Sequence, residues 1–377
     1  MQPRRRVRPL ARVTVASAVM WLPLLVLGLF PSGVEAIYVP WIGYPASLVL
    51  TSVSGLFPLC AAEWVEVGAG LVAVLWIGSL VRSGWTGSRN WREVAATAAW
   101  GVAAAGTGLG LLFHLTWGLH YGRPTAAAQL GWAEVELTAD DGSELTQLAE
   151  RLVQITNTRY VAVHGATDAG VVSATLPPPS IDAATDRGWE RAVGALGLPA
   201  RVARSRGPAK PLLSSPVFTR LGISGFYFPF TGEANYNTMP PRWQLPHTIA
   251  HEKAHQRGIA REDEANFFGF VACVHSDTAF VEYAGFLFAQ RQILRVLLQI
   301  DPEAAIPLIE DRHPGVQRDV DAAHLFWTGY DGAARDFGHA MNDAYLRLNR
   351  VEGGTLSYSR AAQLIVAWAR EGGLAGL

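Results

Sequence analysis

Residues 251–255 read His-Glu-Lys-Ala-His, and this stretch decides how the second part of the chain is interpreted. Two histidines four positions apart on a helix lie about 40° apart around its axis, so both imidazoles can reach one metal ion. The glutamate between them points to the same region without having to bind the ion. Two ligands and one general base in this spacing are typical of zinc metallopeptidases. The stretch therefore predicts a zinc site formed by His251 and His255, with Glu252 as the base.

A zinc ion that takes part in catalysis needs a third protein ligand and one open position for water. A second helix is predicted to start at Arg261-Glu262, and we expect Glu262 to supply the third ligand, with Glu264 as the alternative. Glu264 projects roughly 200° away from Glu262, so only one of the two faces the metal. Asn266 lies one turn beyond Glu262, where its amide can hydrogen-bond a ligand histidine. Lys253 is expected to be solvated.

The segment before the site helix is expected to form its substrate-binding side. Val217–Phe230 alternates as a strand does, and Ser224–Pro229 is the candidate edge strand, on which an extended peptide can pair. A loop over 231–237 is predicted to follow. The side chains available to contact substrate or to stabilise an oxyanion are Glu233, Asn235, Tyr236, Arg261 and Tyr283. The sequence does not choose among them, and ordinary turn chemistry explains the loop residues equally well.

The first 118 residues have the composition of a membrane domain. Residues 1–12 contain five arginines and no acid, and the eighteen residues that follow carry no charge. Such a run forms about 27 Å of helix, close to the thickness of a hydrocarbon core. The segment 36–57, which prolines interrupt, is expected to lie at the outer membrane interface. Three transmembrane helices in contact with the lipid bilayer are thus predicted, over 13–30, 64–81 and 94–117.

Positive charges predict the orientation of these spans. Arg82, Arg89 and Arg92 lie between the second and third spans, whereas residues 31–63 contain no lysine or arginine. By the positive-inside rule, the N-terminus and the second loop are cytoplasmic. The domain predicted over 119–377 therefore lies on the outer side of the cytoplasmic membrane. The net charge of −1 gives no indication of nucleic-acid binding.

The region after the metal motif has mostly helical periodicity, as in the apolar stripe of 278–300. Together with the candidate strands before the motif, this predicts an α+β fold for 119–377, rich in helix and with a small antiparallel sheet.

Several segments resemble a bacterial membrane-protein family of unknown function whose outer domain has a zincin-like site. They are Val34–Tyr38, Trp117–Tyr121, Gly225–Asn235, Leu245–Phe267 and Asn342–Arg347, and the resemblance covers nearly the whole chain. It implies three membrane helices followed by a zincin-like metallopeptidase domain outside the cytoplasm. In glutamate-type zincins the first residue of the Glu-x-x-Ala-Asn element binds zinc, and that residue is Glu262 here. The resemblance implies no particular substrate.

The sequence thus predicts a membrane-anchored zinc metallopeptidase that hydrolyses peptides, proteins or the peptide amides of cell wall. The alternative is a zinc-stabilised sensor or binding protein of the cell envelope without catalysis. Glu252 favours the enzyme, because a structural zinc site has no need of a base.

Overall fold

A computed structural model of the chain describes residues 4–165, 176–349 and 360–375. It forms two compact units. Unit 1 comprises Met1–Arg123 with Phe228–Gly232, and unit 2 comprises Pro124–Tyr227 with Glu233–Leu377. The division at Arg123 lies a few residues beyond the predicted end of the membrane domain at residue 118.

Unit 1 consists mainly of apolar helices. They are α1 (Arg4–Leu27), α2 (Pro31–Gly33), α3 (Tyr44–Ser54), α4 (Ala61–Trp85) and α5 (Trp91–Thr116), and a π-helical segment, Val34–Gly43, joins α2 to α3. Four stretches are long and apolar enough to cross a membrane: Val7–Leu27, Pro31–Ser54, Ala61–Trp85 and Trp91–Thr116. In three of them only 6% of the most apolar window is buried, so their side chains need a non-aqueous environment. The chain therefore has the apolar helices of a membrane protein.

The stretch Pro31–Ser54 differs from the broken segment expected over 36–57. It is helical throughout, although Pro40 and Pro45 each lack the N–H that a helix uses. A π-helical stretch accommodates such interruptions, and here it covers the residues around Pro40. The window in this stretch is 28% buried, more than in the other three. Its length would permit a fourth span, so the count of three and the interfacial location stay predictions.

Unit 2 is rich in helix. Before the metal motif it contains α6 (Ala126–Leu130), α7 (Gly142–His164), α8 (Pro178–Ala195), α9 (Ala200–Ala203) and α10 (Ser215–Arg220), and after it α13 (Ala279–Ile300), α14 (Pro302–Glu310), α15 (Pro314–Thr328), α16 (Ala333–Leu348) and α17 (Arg360–Arg370). The motif itself lies on α11 (Leu245–Gln256) and α12 (Glu262–Val274). A helix-rich unit with one small sheet agrees with the predicted α+β composition.

The sheet has three strands, β1 (Lys210–Pro211), β2 (Gly225–Phe228) and β3 (Glu233–Tyr236), in the order β1-β3-β2. β1 pairs parallel to β3, with Lys210 opposite Asn235. The predicted antiparallel sheet is therefore wrong, and the sheet is mixed. The reason is the connection: α10 and β2 lie between β1 and β3 in the chain, which gives the long crossover that parallel pairing requires.

Two predictions for the segment before α11 also fail. Val217 belongs to α10, so the strand is confined to β2. The predicted loop over 231–237 is in large part β3, the central strand, and all four of its residues are buried. Its polar side chains suggested a loop, but Glu233 pairs with Lys210 at 2.5 Å and Asn235 donates to the Phe226 carbonyl at 3.1 Å. Buried polar groups with partners fit a central strand.

Helix α12 lies at the centre of unit 2 and packs against α8, α11, α13 and α17. Every residue from Asp263 to Val274 is buried. Gly269 permits the closest approach to α11, because a Cβ there would lie 3.0 Å from the backbone nitrogen of His251. The two helices of the motif therefore pack backbone to backbone beside the first histidine.

A buried charge cluster holds the other side of α11. Lys253 is fully buried, contrary to expectation, and its Nζ lies 2.8 Å from Asp182 and 2.7 Å from Asp186 on α8. Arg257, one turn further on, also pairs with Asp186, at 2.8 Å. Burial raises the pKa of Asp186, but the charges of Lys253 and Arg257 outweigh it and hold that pKa below its usual value. Helix α8 covers Lys253, which the local sequence could not indicate.

Candidate metal centre

The structure brings together the three side chains that the sequence singles out as ligands. His251, His255 and Glu262 each direct one potential ligand atom to a common point, and these atoms lie within 4.8 Å of one another. The two Nε2 atoms are 3.2 Å apart. Glu262 places Oε2 3.2 Å from His251 Nε2 and Oε1 3.7 Å from His255 Nε2. Among the described residues this is the one such group.

These distances fit a tetrahedral zinc ion. Ligand atoms about 2.0–2.1 Å from zinc lie roughly 3.4 Å from each other in tetrahedral geometry. The shortest distances between the three residues, 3.2, 3.2 and 3.7 Å, lie near that value, and a different oxygen of Glu262 faces each histidine. With one ligand atom taken from each residue, the three atoms lie within 4.8 Å of one another. The side chains are 13% (His251), 8% (His255) and 14% (Glu262) exposed, so the site remains accessible to water. The donor set therefore matches a three-ligand site with an open position.

The second nitrogen of each histidine supports the same arrangement. His255 Nδ1 donates to the Ile259 carbonyl at 2.7 Å, and His251 Nδ1 lies 3.0 Å from Asn266 Oδ1. An oxygen acceptor at Nδ1 fixes the proton there and leaves the lone pair on Nε2, as metal-ligating histidines require. Asn266 thus occupies the position expected for it beside His251, although its role at a metal site stays a prediction.

Electrostatics distinguish the two ligand histidines. Burial lowers the pKa of His255 to about 4, so its ring is neutral near pH 7. Burial also acts to lower the pKa of His251, but the hydrogen bond and charge of Glu262 outweigh it and raise that pKa. Two facing nitrogen lone pairs and a carboxylate repel one another unless a cation lies between them. The arrangement therefore favours a bound cation or, without one, a proton on His251.

Glu252 lies next to this centre and has no protein partner. It is 5% exposed, and no residue in the described part of the chain forms a hydrogen bond or ion pair with its carboxylate. Burial raises its pKa to about 8, while His251 lowers it and Glu262 raises it further. Buried carboxylates are normally paired, and perturbed unpaired ones concentrate at functional sites.

Strand β2 contributes two residues to the site that the sequence did not reveal. A Cβ at Gly225 would lie 2.8 Å from Glu252 Cγ and 2.9 Å from Cδ, so the strand backbone lies directly against that carboxylate. Tyr227 lies on the same face of β2, two residues on, with its ring centroid 6.0 Å from that of His255. Its hydroxyl group interacts electrostatically with Arg206 and Tyr345. A glycine in a strand-like run is the signal that would have indicated close backbone approach.

Glu264 and His247, two further polar residues near the motif, lie outside the convergent group. Glu264, the alternative ligand, accepts a hydrogen bond from the Ala126 backbone at 2.7 Å and lies 3.4 Å from Arg261, and it is absent from the convergent group. His247 stacks on Phe288 with ring centroids 3.7 Å apart, and burial lowers its pKa to about 3. It is therefore a neutral packing residue one turn before His251.

The side chains suggested for substrate or oxyanion contact have other structural roles. Tyr283 is fully buried and donates to Asp319 at 2.7 Å. Glu233 is held by Lys210, and Tyr236 is a 5% exposed member of the hydrophobic core. Their contacts with substrate stay predictions, and the structure does not bring these residues into the convergent group.

Metal content tests the ligand set. Full-length protein is expected to retain about one zinc ion per chain, whereas His251→Ala, His255→Ala and Glu262→Gln each lose most of it, because three ligands are the minimum for such a site. Glu264→Gln is the matched control, since it keeps an acceptor for the Ala126 backbone. Inductively coupled plasma mass spectrometry of dialysed protein gives the measurement. Equal zinc in Glu262→Gln and wild type would remove Glu262 from the ligand set.

Comparison with known proteins identifies the family. No curated protein and no solved structure matches the chain. Residues 40–366, most of the chain, match a family described as Protein of unknown function (DUF3810). The matched region includes three of the four apolar stretches in full or in part. It also includes the three strands and the His-Glu-Lys-Ala-His motif. The chain therefore belongs to the DUF3810 family.

Proposed function

We propose that this protein is a membrane-anchored, zinc-dependent peptidase with a zincin-like site. The observation that carries the proposal is the pairing of a convergent three-ligand group with an unpartnered buried carboxylate, Glu252. Peptide hydrolysis by such enzymes needs both parts, one to hold a Lewis acid and the other to move a proton.

The ligands would be His251, His255 and Glu262, with Asn266 and the Ile259 carbonyl orienting the two rings. A zinc ion held there supplies Lewis acidity, which makes water more acidic and polarises a scissile carbonyl. Glu252 would accept a proton from the attacking water and donate it to the leaving amine. Because no described residue hydrogen-bonds this carboxylate, it is available for both transfers.

Strand β2 supports a peptide as the substrate. It lies at an edge of the three-stranded sheet, and its Gly225 backbone touches the Glu252 carboxylate. An extended peptide that adds to this edge would run past the proposed base. Main-chain pairing of this kind recognises peptides of many sequences, and the same geometry serves a cell-wall peptide amide.

A non-catalytic protein with a structural zinc is the second candidate. The three ligands alone are compatible with it, and a sensor or binding protein of the cell envelope would use the same anchored architecture. Glu252 separates the two functions, because its burial costs free energy and no hydrogen bond or ion pair within the described part of the chain offsets that cost.

Replacement of the proposed base gives the direct test. Glu252→Gln is expected to keep zinc but to lower kcat by at least about 10²-fold, since the amide cannot accept the proton of water. Full-length protein in detergent would be assayed against a quenched-fluorescent peptide library and cell-wall peptides, with metal content measured in parallel. Wild-type turnover that survives unchanged in Glu252→Gln would exclude this mechanism. A zinc-loaded wild type that cleaves none of these substrates would support the binding protein.

Gly225→Ala tests the contact between β2 and the base. The added methyl group would overlap the Glu252 carboxylate, so either the strand or the carboxylate must shift. We expect kcat to fall by about tenfold or more, because small displacements of a catalytic group are costly, while zinc content stays unchanged. Gly194→Ala on α8 is the matched control, since its Cβ would meet no atom within 4 Å. A Gly225→Ala enzyme with normal kcat would show that this close approach has no catalytic importance.

We further propose that unit 2 lies outside the cytoplasm and that Pro31–Ser54 does not cross the membrane. Three crossings place Arg82, Arg89 and Arg92 on the same side as the N-terminal arginines, in agreement with the positive-inside rule. Four crossings would place those three arginines outside. The greater burial of Pro31–Ser54 also supports a helix packed within the protein.

Reporter fusions decide between the two topologies. Alkaline phosphatase, which is active only outside the cytoplasm, is expected to be active when fused after Leu377 and inactive when fused after Ser88 between α4 and α5. A fluorescent protein that matures only in the cytoplasm should give the opposite pattern at each position. Activity after Ser88 together with inactivity after Leu377 would establish four crossings and place unit 2 in the cytoplasm.

A further inference from the structure

One face of helix α16 is apolar and exposed. The side chains on it are Phe337 (63% exposed), Met341 (49%), Tyr345 (36%) and Leu348 (83%). Their spacing of four, four and three residues confines them to about 80° of the helix circumference. Ala340 and Ala344 extend the same face on one side. The apolar face thus runs along nearly the whole of α16.

The other two faces of α16 have identifiable roles. Gly338 packs against Leu221, where a Cβ would lie 3.1 Å from the carbonyl carbon, and Leu346 is fully buried. A third face carries Asp336, Asp343 and Arg347, and Arg347 pairs with Asp343 at 2.6 Å. One face therefore anchors the helix to unit 2, one is charged, and the apolar face remains exposed.

We propose that the apolar face of α16 inserts into the lipid–water interface, so that unit 2 has a membrane contact of its own. Large exposed apolar patches mark interaction surfaces, because removing such side chains from water is favourable. Helices with an apolar face of Phe, Leu and Met and a charged opposite face are typical of in-plane membrane helices. We choose a lipid bilayer as the binding partner of this face because the apolar helices of unit 1 anchor the chain in a membrane. The anchor gives unit 2 a high effective concentration of lipid.

The course of the chain supports this occupant. Tyr345 interacts electrostatically with Tyr227. Tyr227 is the last residue of Pro124–Tyr227, the first of the two segments that make up unit 2. The next five residues, Phe228–Gly232, belong to unit 1, where a Cβ at Gly232 would lie 2.9 Å from the Thr51 side chain of α3. Helix α16 therefore lies within electrostatic range of the residue at which this segment of unit 2 ends. The inference is independent of the metal site and holds whether or not the protein is a peptidase.

Fluorescence quenching in full-length protein tests the contact. Met341→Cys and His339→Cys would each be labelled with a nitrobenzoxadiazole maleimide and reconstituted into phosphatidylcholine–phosphatidylglycerol vesicles. Residue 339 is the matched control, because it lies on the same helix about 160° from residue 341 and is exposed. The native cysteines, Cys60 and Cys273, are buried. Unchanged circular dichroism spectra would verify that both variants fold.

Lipids that carry a nitroxide near the headgroup are expected to quench the label at 341 at least about twofold more than the label at 339, and aqueous iodide to do the reverse. Equal iodide quenching at both positions, without quenching by lipid at 341, would overturn the proposal. Protection of residue 341 from both quenchers would also overturn it, because the face would then be covered by protein, as in a dimer.

Discussion

The burial of Lys253 between Asp182 and Asp186 determines how the site helix is rotated, and the convergence of His251 and His255 on Glu262 depends on that rotation. An ammonium group that is fully removed from water must keep its carboxylate partners, because loss of one side of a buried ion pair costs about 3–5 kcal/mol. Lys253 lies about 200° around α11 from His251. With Lys253 and Arg257 held against α8, the two histidines of the motif must face α12, which carries Glu262.

Helix α12 is the second element of this arrangement, and it acts through its packing. Its nearly complete burial and the contact of Gly269 with the His251 backbone leave little freedom to slide along α11. Glu262 and Asn266, one turn apart, then reach Nε2 and Nδ1 of the same imidazole. The packing of unit 2 thus holds three mutually repelling acceptors close together. A cation that bound there would need little rearrangement of these side chains.

The sequence predicted those features that are encoded within one helix, and it failed where partners are distant in the chain. The spacing of His251 and His255 implies a common face of one helix, and the short connection to the next helix start made Glu262 the expected third group; the structure brings the three together. Lys253 was expected to be solvated and Glu233 to lie in a loop, because their partners, Asp182 and Lys210, precede them by 71 and 23 residues. The mixed sheet was missed for the same reason, since β1 has only two residues and pairs across a crossover. Gly225 in a strand-like run signals only that some group approaches the backbone closely, and the folded chain is needed to show that this group is the Glu252 carboxylate.

Stability alone does not account for Glu252. A zinc-stabilised binding protein needs the two histidines and Glu262, and an apolar residue at position 252 would remove the cost of burying a carboxyl group without a partner. The protein instead keeps this group next to His251 and places a strand residue without a side chain directly against it. Local features that lower stability without a compensating contact are expected at functional sites. The proposed proton-transfer role would explain both the retained carboxylate and the fact that no described residue hydrogen-bonds it.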